Sequence, residues 1–250
     1  MLEHLNSHER LRIEEFCSHP LLASLAHVSW DQLLAILLQR RHLSLAIVNL
    51  YEAVIDGLED EDIKVNVRQI LHEEYPRNTR GVPLPSHREL LFQDLLNLGA
   101  QRQQILCTPE SPITEAVRLD SQRQLAACLE HPLDQLGLLT FLRFWAEVLV
   151  SVEYTCLWPR LSERLAADST GRRPRSEFFY FHMIHDRRQS DIGEERLLGG
   201  HTHAQALALH ISRLIRTDED LQQAMRQVDQ ACALKRRFYD QFLIETQARA

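Results

Sequence analysis

The sequence predicts an all-α protein, and three observations carry that prediction. Glycine and proline are scarce, 8 and 9 among 250 residues, while Leu, Ala, Arg, Gln and Glu abound; chains of that composition sustain long helices. Helix-start signals recur, as in Ser29-Trp30-Asp31-Gln32 and Ser86-His87-Arg88-Glu89. In each, the serine hydroxyl and a Gln or Glu three residues on satisfy one another's free backbone N–H groups. Finally, apolar residues return every three or four positions, as Ile63, Val67 and Ile70 do, which is the period of a helix with one buried face.

An N-terminal helix is expected from Asn6 or Ser7, with Glu9 as its capping-box partner, ending near Pro20. A second, long helix opens at Ser29 and runs to about Gly57. Leu38, Arg41, Leu45, Val48 and Glu52 share one of its faces, so Arg41 and Glu52 lie at or near the buried stripe. A third runs from about Asp60 to Tyr75, where Pro76 stops it. Glu74 ends its apolar stripe, whereas Glu73 points about 100° away and reads as solvated. After the loop from Arg77 to Pro85, the Ser86 box places His87 in the first turn of a helix ending at Gly99. A helix ending near Glu130 comes next, then a long one from Pro132 to about Ala167, interrupted by Pro159. On it Ala146, Leu149 or Val150, Glu153 and Leu157 fall on one face. Glu147 reads as paired with Arg143 on a wetter side.

The segment Phe178-Phe179-Tyr180-Phe181-His182-Met183-Ile184-His185-Asp186 opens the next helix, from about Ser176. His182, Asp186 and Gln189 lie at i, i+4 and i+7 and share a face, with His185 on its flank. His201 and His203, following Gly199-Gly200, read as the exposed start of a helix. Two last helices, about His203 to Arg216 and Thr217 to Gln247, close the chain.

Composition limits the function. Apolar residues make up 44% and charged residues 25%, with a net charge of −7 and no dense basic patch, so nucleic acid is not an expected partner. Five scattered cysteines without a C-x-x-C pair suit a reducing cytoplasm. Met1-Leu2-Glu3-His4 does not resemble a secretory signal. Charges within the longest apolar helices argue against a membrane span. No phosphate loop, nucleophile elbow or internal repeat is present. One domain spanning 1–250 is expected, with a core of about 30–215 on which the terminal helices pack; a homodimer is left open.

Glu74, His87, Glu153 and the His182/Asp186 pair thus come from separate helices. Carboxylates and imidazoles projecting into a helical bundle are how such proteins hold two iron or manganese ions. In this order they resemble the haem-oxygenase-like, iron-containing oxidases and oxygenases, non-haem di-iron enzymes related in fold to thiaminase-like proteins and pyrroloquinoline-quinone synthase. The family pattern is a Glu ending one helix, a Ser-His pair opening the next, a Glu on a long helix, and His-x-x-x-Asp-x-x-His after an aromatic pair. Glu74-Tyr75-Pro76 through Ser86-His87-Arg88-Glu89-Leu90-Leu91 and Leu98-Gly99 match the first part. Glu153 with Pro159 and Leu161 matches the second, and Phe178-Phe179-Tyr180-Phe181-His182-x-x-x-Asp186 the third.

The resemblance covers roughly residues 30 to 215. It implies a haem-oxygenase-like bundle of about seven to eight helices and two Fe(II) per chain, held by Glu74, His87, Glu153, His182 and Asp186. Catalysis would rest on Glu74, Glu153 and His182. It further implies O2 activation on a small, amino-acid-derived substrate in a biosynthetic pathway, by N-oxygenation, C–C cleavage or oxidative decarboxylation. Arg41 is the candidate for a substrate carboxylate. Gln189 stands where the family's last His belongs, which predicts a weaker second iron unless Glu52, His185, Asp191 or Glu194 compensates. Two alternatives stay open: a metal-free enzyme like the thiaminase-like or quinone-synthase branches, and a helical binding module that has lost its iron.

Overall fold

The computed structural model describes residues 1–130, 134–165, 176–186, 192 and 202–247. These are mostly helical, and the described residues contain no strand, only one isolated antiparallel bridge between Arg77 and Pro83. The helices are α1 (Leu2–Cys17), α2 (Pro20–Ala23), α3 (Trp30–Leu45), α4 (Ile47–Gly57), α5 (Glu61–His72), α6 (His87–Asn97), α7 (Arg102–Cys107) and α8 (Pro112–Leu129). They continue with α9 (Gln135–Leu142), α10 (Leu149–Leu165), α11 (Phe179–His185), α12 (His203–Leu214) and α13 (Asp218–Gln247). There are more of them than the seven or eight expected, because short pieces such as α2 and α7 carry no strong pattern and the Trp30–Gly57 rod breaks at Ala46.

The expected starts hold where a side chain caps them. Ser29 and Gln32 form a reciprocal capping box at α3, as Ser86 and Glu89 do at α6, and Asp60 caps α5. At the N-terminus the expectation fails. The first helix begins at Leu2 without a side-chain cap, and Glu9 lies buried instead, its carboxylate 2.5 Å from Nη1 of Arg143. The turn after α6 uses Gly99 at φ +101°, a conformation L side chains rarely adopt.

The centre of the bundle is one continuous rod, α9 and α10 joined through a π-helical turn at Arg143–Val148. Every residue from Leu136 to Ser151 is buried, because α13, α12, α11, α8, α4 and α1 surround the rod on different sides. Such a helix has no solvated face from which its phase could be read. The π turn inserts one residue beyond the α repeat and so rotates the rest of the rod by about a quarter-turn. By length and composition alone, Trp30–Gly57 and Gln135–Leu165 are apolar enough to cross a bilayer, despite the charges they carry. In the bundle they are core rods, the first half-buried and the second almost wholly so.

Candidate metal centre

Two groups of three potential ligands meet in one buried cavity. The first is Glu74, His87 and His182; the second is Glu147, Asp186 and His203. Within each group one ligand atom per residue lies within 4.8 Å of the others. Ligands at about 2.0–2.2 Å from one ion are at most about 4.4 Å apart, so only a small closure separates these side chains from a coordinating set.

The first group is assembled from the turn after α5, which ends at His72 and not at Tyr75 as expected, from the start of α6 and from the aromatic helix α11. Nδ1 of His87 is 3.1 Å from Oε1 of Glu74, and the His87 and His182 rings are 4.7 Å apart. The Ser86 capping box puts His87 at the helix mouth, and the backbone N–H of His87 donates to the Glu74 carbonyl. His182 donates from Nδ1 to the Phe178 carbonyl at 2.8 Å, which directs Nε2 into the cavity as the free lone pair. Burial and the neighbouring His87 push the His182 imidazole well below its usual range, so it stays neutral, the form that binds metal.

The mouth of α11 is fixed from α6. Asp94, buried, accepts from Ser176 Oγ at 2.6 Å and from the backbone N–H groups of Phe178 and Phe179 at 3.0 and 3.2 Å. Burial pushes the Asp94 carboxyl up, and these donors oppose the shift.

In the second group, His203 Nδ1 lies 3.2 Å from Oε2 of Glu147 and 3.5 Å from Oδ1 of Asp186, while its Nε2 lies 3.2 Å from Oε2 of Glu73. The Tyr51 hydroxyl donates to Glu147. Burial alone would lower the His203 imidazole, but Glu147, Glu73 and Asp186 around it raise it to about 11. Asp186 is pushed well above the carboxylate range by burial and then by Glu147. Carboxylates this close and this buried require compensating charge. In the metal-free chain protons on Asp186 and His203 supply it; a cation would supply it instead and use the same lone pairs. The donor set therefore fits divalent metal ions that favour carboxylate and imidazole.

The predicted site residues fare unequally. Glu74, His87, His182 and Asp186 converge. Glu153 does not: it is 0% exposed and does not line the cavity, being held by side chains of α3 and α13. It accepts from Nε of Arg40 on both oxygens at 2.8 Å, from Lys235 Nζ at 3.0 Å and from the Tyr239 hydroxyl. Burial alone would raise its carboxyl, but Arg40 and Lys235 hold it below its usual range. The reason is the stripe itself: Glu147, Val150 and Tyr154 face the cavity at helical spacing, and Glu153, one residue off that stripe, does not. Arg143, expected beside Glu147, instead reaches Glu9 and the carbonyl of Ala204.

Glu52 is exposed and does not line the cavity, because the break at Ala46 leaves Leu50, Tyr51 and Val54 as the buried face of α4. Arg41 is buried but does not line the cavity; burial and Arg88 lower its guanidinium. Its neighbour Arg40 lines the cavity in its place, following the stripe Leu33, Ile36, Leu37, Arg40 and Leu43. The side chain of His185 and all of Gln189, Asp191 and Glu194 lie outside the described residues.

Glu73 and His203, both expected in solvent, are drawn inward. Glu73 is half-buried, and His203, only 8% exposed, supplies an imidazole to the second group. A signal for His203 was present in Thr202-His203-Ala204-Gln205, a capping box that repeats the Ser-His-x-Glu arrangement at His87.

The cavity has about 50 Å³ of water-accessible volume. Beside the six ligands it is lined by Arg40, Lys235, Tyr51 and Tyr154 and by apolar walls that include Ile47, Ile70, Val150 and Phe178. A wider cavity of about 230 Å³ shares Ser44, Glu74, His87 and Phe178 with it and includes Tyr75 and Arg88.

The fold is haem-oxygenase-like. A protein of unknown function with a heme oxygenase-like fold from Shewanella denitrificans OS217 superposes with a TM-score of 0.69 at 16% identity, over 99% of this chain and 94% of the other. A CADD-like protein of unknown function from Nostoc punctiforme PCC 73102 gives 0.66 at 15% identity, over 98% and 97%. A TenA family transcription regulator from Silicibacter sp. TM1040 gives 0.60 at 10% identity, over 96% and 95%. No protein-family model and no curated protein matches the chain.

Proposed function

We propose that the protein is a non-haem oxygenase or oxidase with two iron ions, acting with O2 on a small organic substrate in the cytoplasm, without nucleic acid or membrane as partner. One observation carries this reading: two three-ligand groups of carboxylate and imidazole converge on one buried cavity. Glu74, His87 and His182 would hold one ion and Glu147, Asp186 and His203 the other. When bound, such a pair supplies Lewis acidity and the electrons that O2 activation requires.

The chain's own residues do the rest. The Phe178 carbonyl fixes the His182 tautomer, and Tyr51 orients one oxygen of Glu147. Carboxylates flank both nitrogens of His203, so whichever nitrogen faces a metal, an acceptor holds the proton on the other. Ile47, Ile70, Val150 and Phe178 keep the walls apolar, which limits water around a reactive centre. The wider cavity beyond Glu74 and His87 offers the substrate an approach.

The test is anaerobic loading with Fe(II), followed by metal counting and oxygen uptake. Two irons per chain and iron-dependent uptake are expected. Glu74→Ala and Glu147→Ala should each remove about one iron and abolish uptake. A folded protein that takes up no iron above background would sink the proposal.

A further inference from the structure

Two of the five cysteines stand together, and neither lines the cavity. Cys17 closes α1 and Cys156 lies within α10. They are 139 residues apart in sequence, yet their sulfurs are 3.7 Å apart. A disulfide needs about 2.05 Å, so a short approach separates the pair from a bond. Cys17 has the slack for it, as the last residue of α1 before the turn at Ser18; helix ends open more readily than helix middles. Both thiols are half-buried and so within reach of a small oxidant, whereas Cys128 and Cys232 are buried. The Cys156 S–H donates to the Cys17 sulfur. That bond holds the Cys17 thiol down at about 7, against burial, and it pushes the Cys156 thiol up, with burial adding to the shift. Cys17 is thus the one that ionises near neutral pH, and the thiolate is the nucleophile.

We propose that Cys17 and Cys156 form a reversible redox site, oxidised by a hydroperoxide to a disulfide that staples α1 to the central rod. In the first step the Cys17 thiolate attacks one peroxide oxygen. An S–O bond forms, the O–O bond breaks, and the second oxygen leaves as hydroxide, which takes up a proton. In the second step the Cys156 sulfur attacks the sulfenic acid on Cys17. The S–S bond forms, the S–O bond breaks, and hydroxide leaves as water with the Cys156 proton. Two thiols are oxidised and one peroxide is reduced to two waters. Glu9 already ties α1 to Arg143 of the rod, and the disulfide adds a covalent tie at the C-terminal end of α1. In a reducing compartment such a bond is transient, formed under oxidant and reopened by thiols. The site does not depend on the oxygenase reading.

The experiment uses the full chain, freshly reduced, freed of reductant and kept metal-free, because Fe(II) itself consumes peroxide. Hydrogen peroxide at neutral pH should remove two of the five thiols and lower the intact mass by two hydrogens. Peptide mapping should find Cys17 joined to Cys156. Repeating the treatment on Cys107→Ser, which lacks the exposed thiol, excludes cross-links between chains. The oxidised chain should melt at least about 4 °C higher, since the bond closes a long loop, and dithiothreitol should reverse the change. In Cys156→Ser, oxidation should stop at a sulfenic acid on Cys17 that dimedone labels; in Cys17→Ser, Cys156 should stay unlabelled.

The wild-type thiol count and peptide map stand even if a serine variant fails to fold. Survival of all five thiols, a sulfinic acid on Cys17 in place of the disulfide, or cross-linking of another pair would overturn the site. Labelling of Cys156 in Cys17→Ser, with none of Cys17 in Cys156→Ser, would overturn the choice of nucleophile. An oxidised chain that melts no higher than the reduced one would overturn the staple. Disulfide formation in a chain that takes up no iron would sustain this site while removing the oxygenase reading.

Discussion

Glu147 and Glu153 are two buried carboxylates on one rod, and their surroundings give them opposite parts. Glu153 neutralises Arg40 and Lys235, whereas Glu147 stands beside Asp186 and His203. Breaking a buried ion pair by deleting one partner costs about 3–5 kcal/mol. Glu153→Gln should therefore lower unfolding free energy by about that amount, in urea melts of metal-free protein, while the folded fraction still takes up iron. Glu147→Ala relieves Asp186 of its carboxylate neighbour but deprives His203 and Tyr51 of theirs, so its melt should fall as well; what distinguishes it from Glu153→Gln is that iron uptake falls. The opposite pattern would mean that the two carboxylates exchange roles.

Protons give a second prediction at this scale. His203 is raised from 6.5 to about 11, so its contribution to metal-free stability is fully present below pH 6.5 and is lost as pH rises through about 11. Asp186, also raised, adds stability of the same sign that is present below its unfolded value and lost as pH rises through its folded one. Metal must displace both protons. Between pH 6.5 and 8.5 the metal-free melting temperature should fall while Fe(II) affinity rises. Equal melting temperatures across that range, or affinity falling with pH, would contradict a protonated Asp186 and His203.

Among the elements, α11 depends on a group outside itself. Its first turn has no side-chain cap from its own N-cap residue, Phe178, and Asp94 of α6 serves the purpose. Removing a cap or a buried acceptor costs about 1–3 kcal/mol. Asp94→Ala should show that loss in urea melts, together with weakened iron binding at Glu74, His87 and His182; Asp94→Asn, which keeps an acceptor oxygen, should recover part of both. Lost stability with undiminished iron affinity would mean that α11 is positioned by its aromatic packing alone. The central rod works at the same scale: Glu147, Val150 and Tyr154 face the cavity at helical spacing, while Glu153, one residue off that stripe, meets Arg40 and Lys235.

For the whole molecule, the metal ties together helices far apart in the chain. The ligands come from the turn after α5, from α6, from the π turn, from α11 and its C-cap, and from α12. A ligand that binds only the folded chain adds about 2.7 kcal/mol when present at 100 times its dissociation constant. For a chain of this size each kcal/mol raises the melting temperature by about 2–4 °C. Filling one site should thus raise the transition by about 5–11 °C in calorimetry, with a further rise for the second. No shift with Fe(II) or Mn(II) would count against a metal centre.

Local signals in the sequence determined the helical class, the helix starts at Ser29, Asp60 and Ser86, and the places of Glu74, His87, His182 and Asp186 along their helices; that these four meet was implied by the family resemblance. These lie at helix ends or on helices with a distinguishable face, where capping chemistry and a 3.6-residue period act within a few positions. Only the tertiary structure decided between Glu147 and Glu153, between Arg40 and Arg41, and for His203 as a buried imidazole. The rod through Glu147 is buried on every side, so its period does not say which face meets the cavity. The Trp30–Gly57 stripe changes face at Ala46 by a break with no Gly or Pro to mark it. His203 is buried because carboxylates from other helices close over it, and that enclosure depends on how the helices pack, beyond the reach of local sequence.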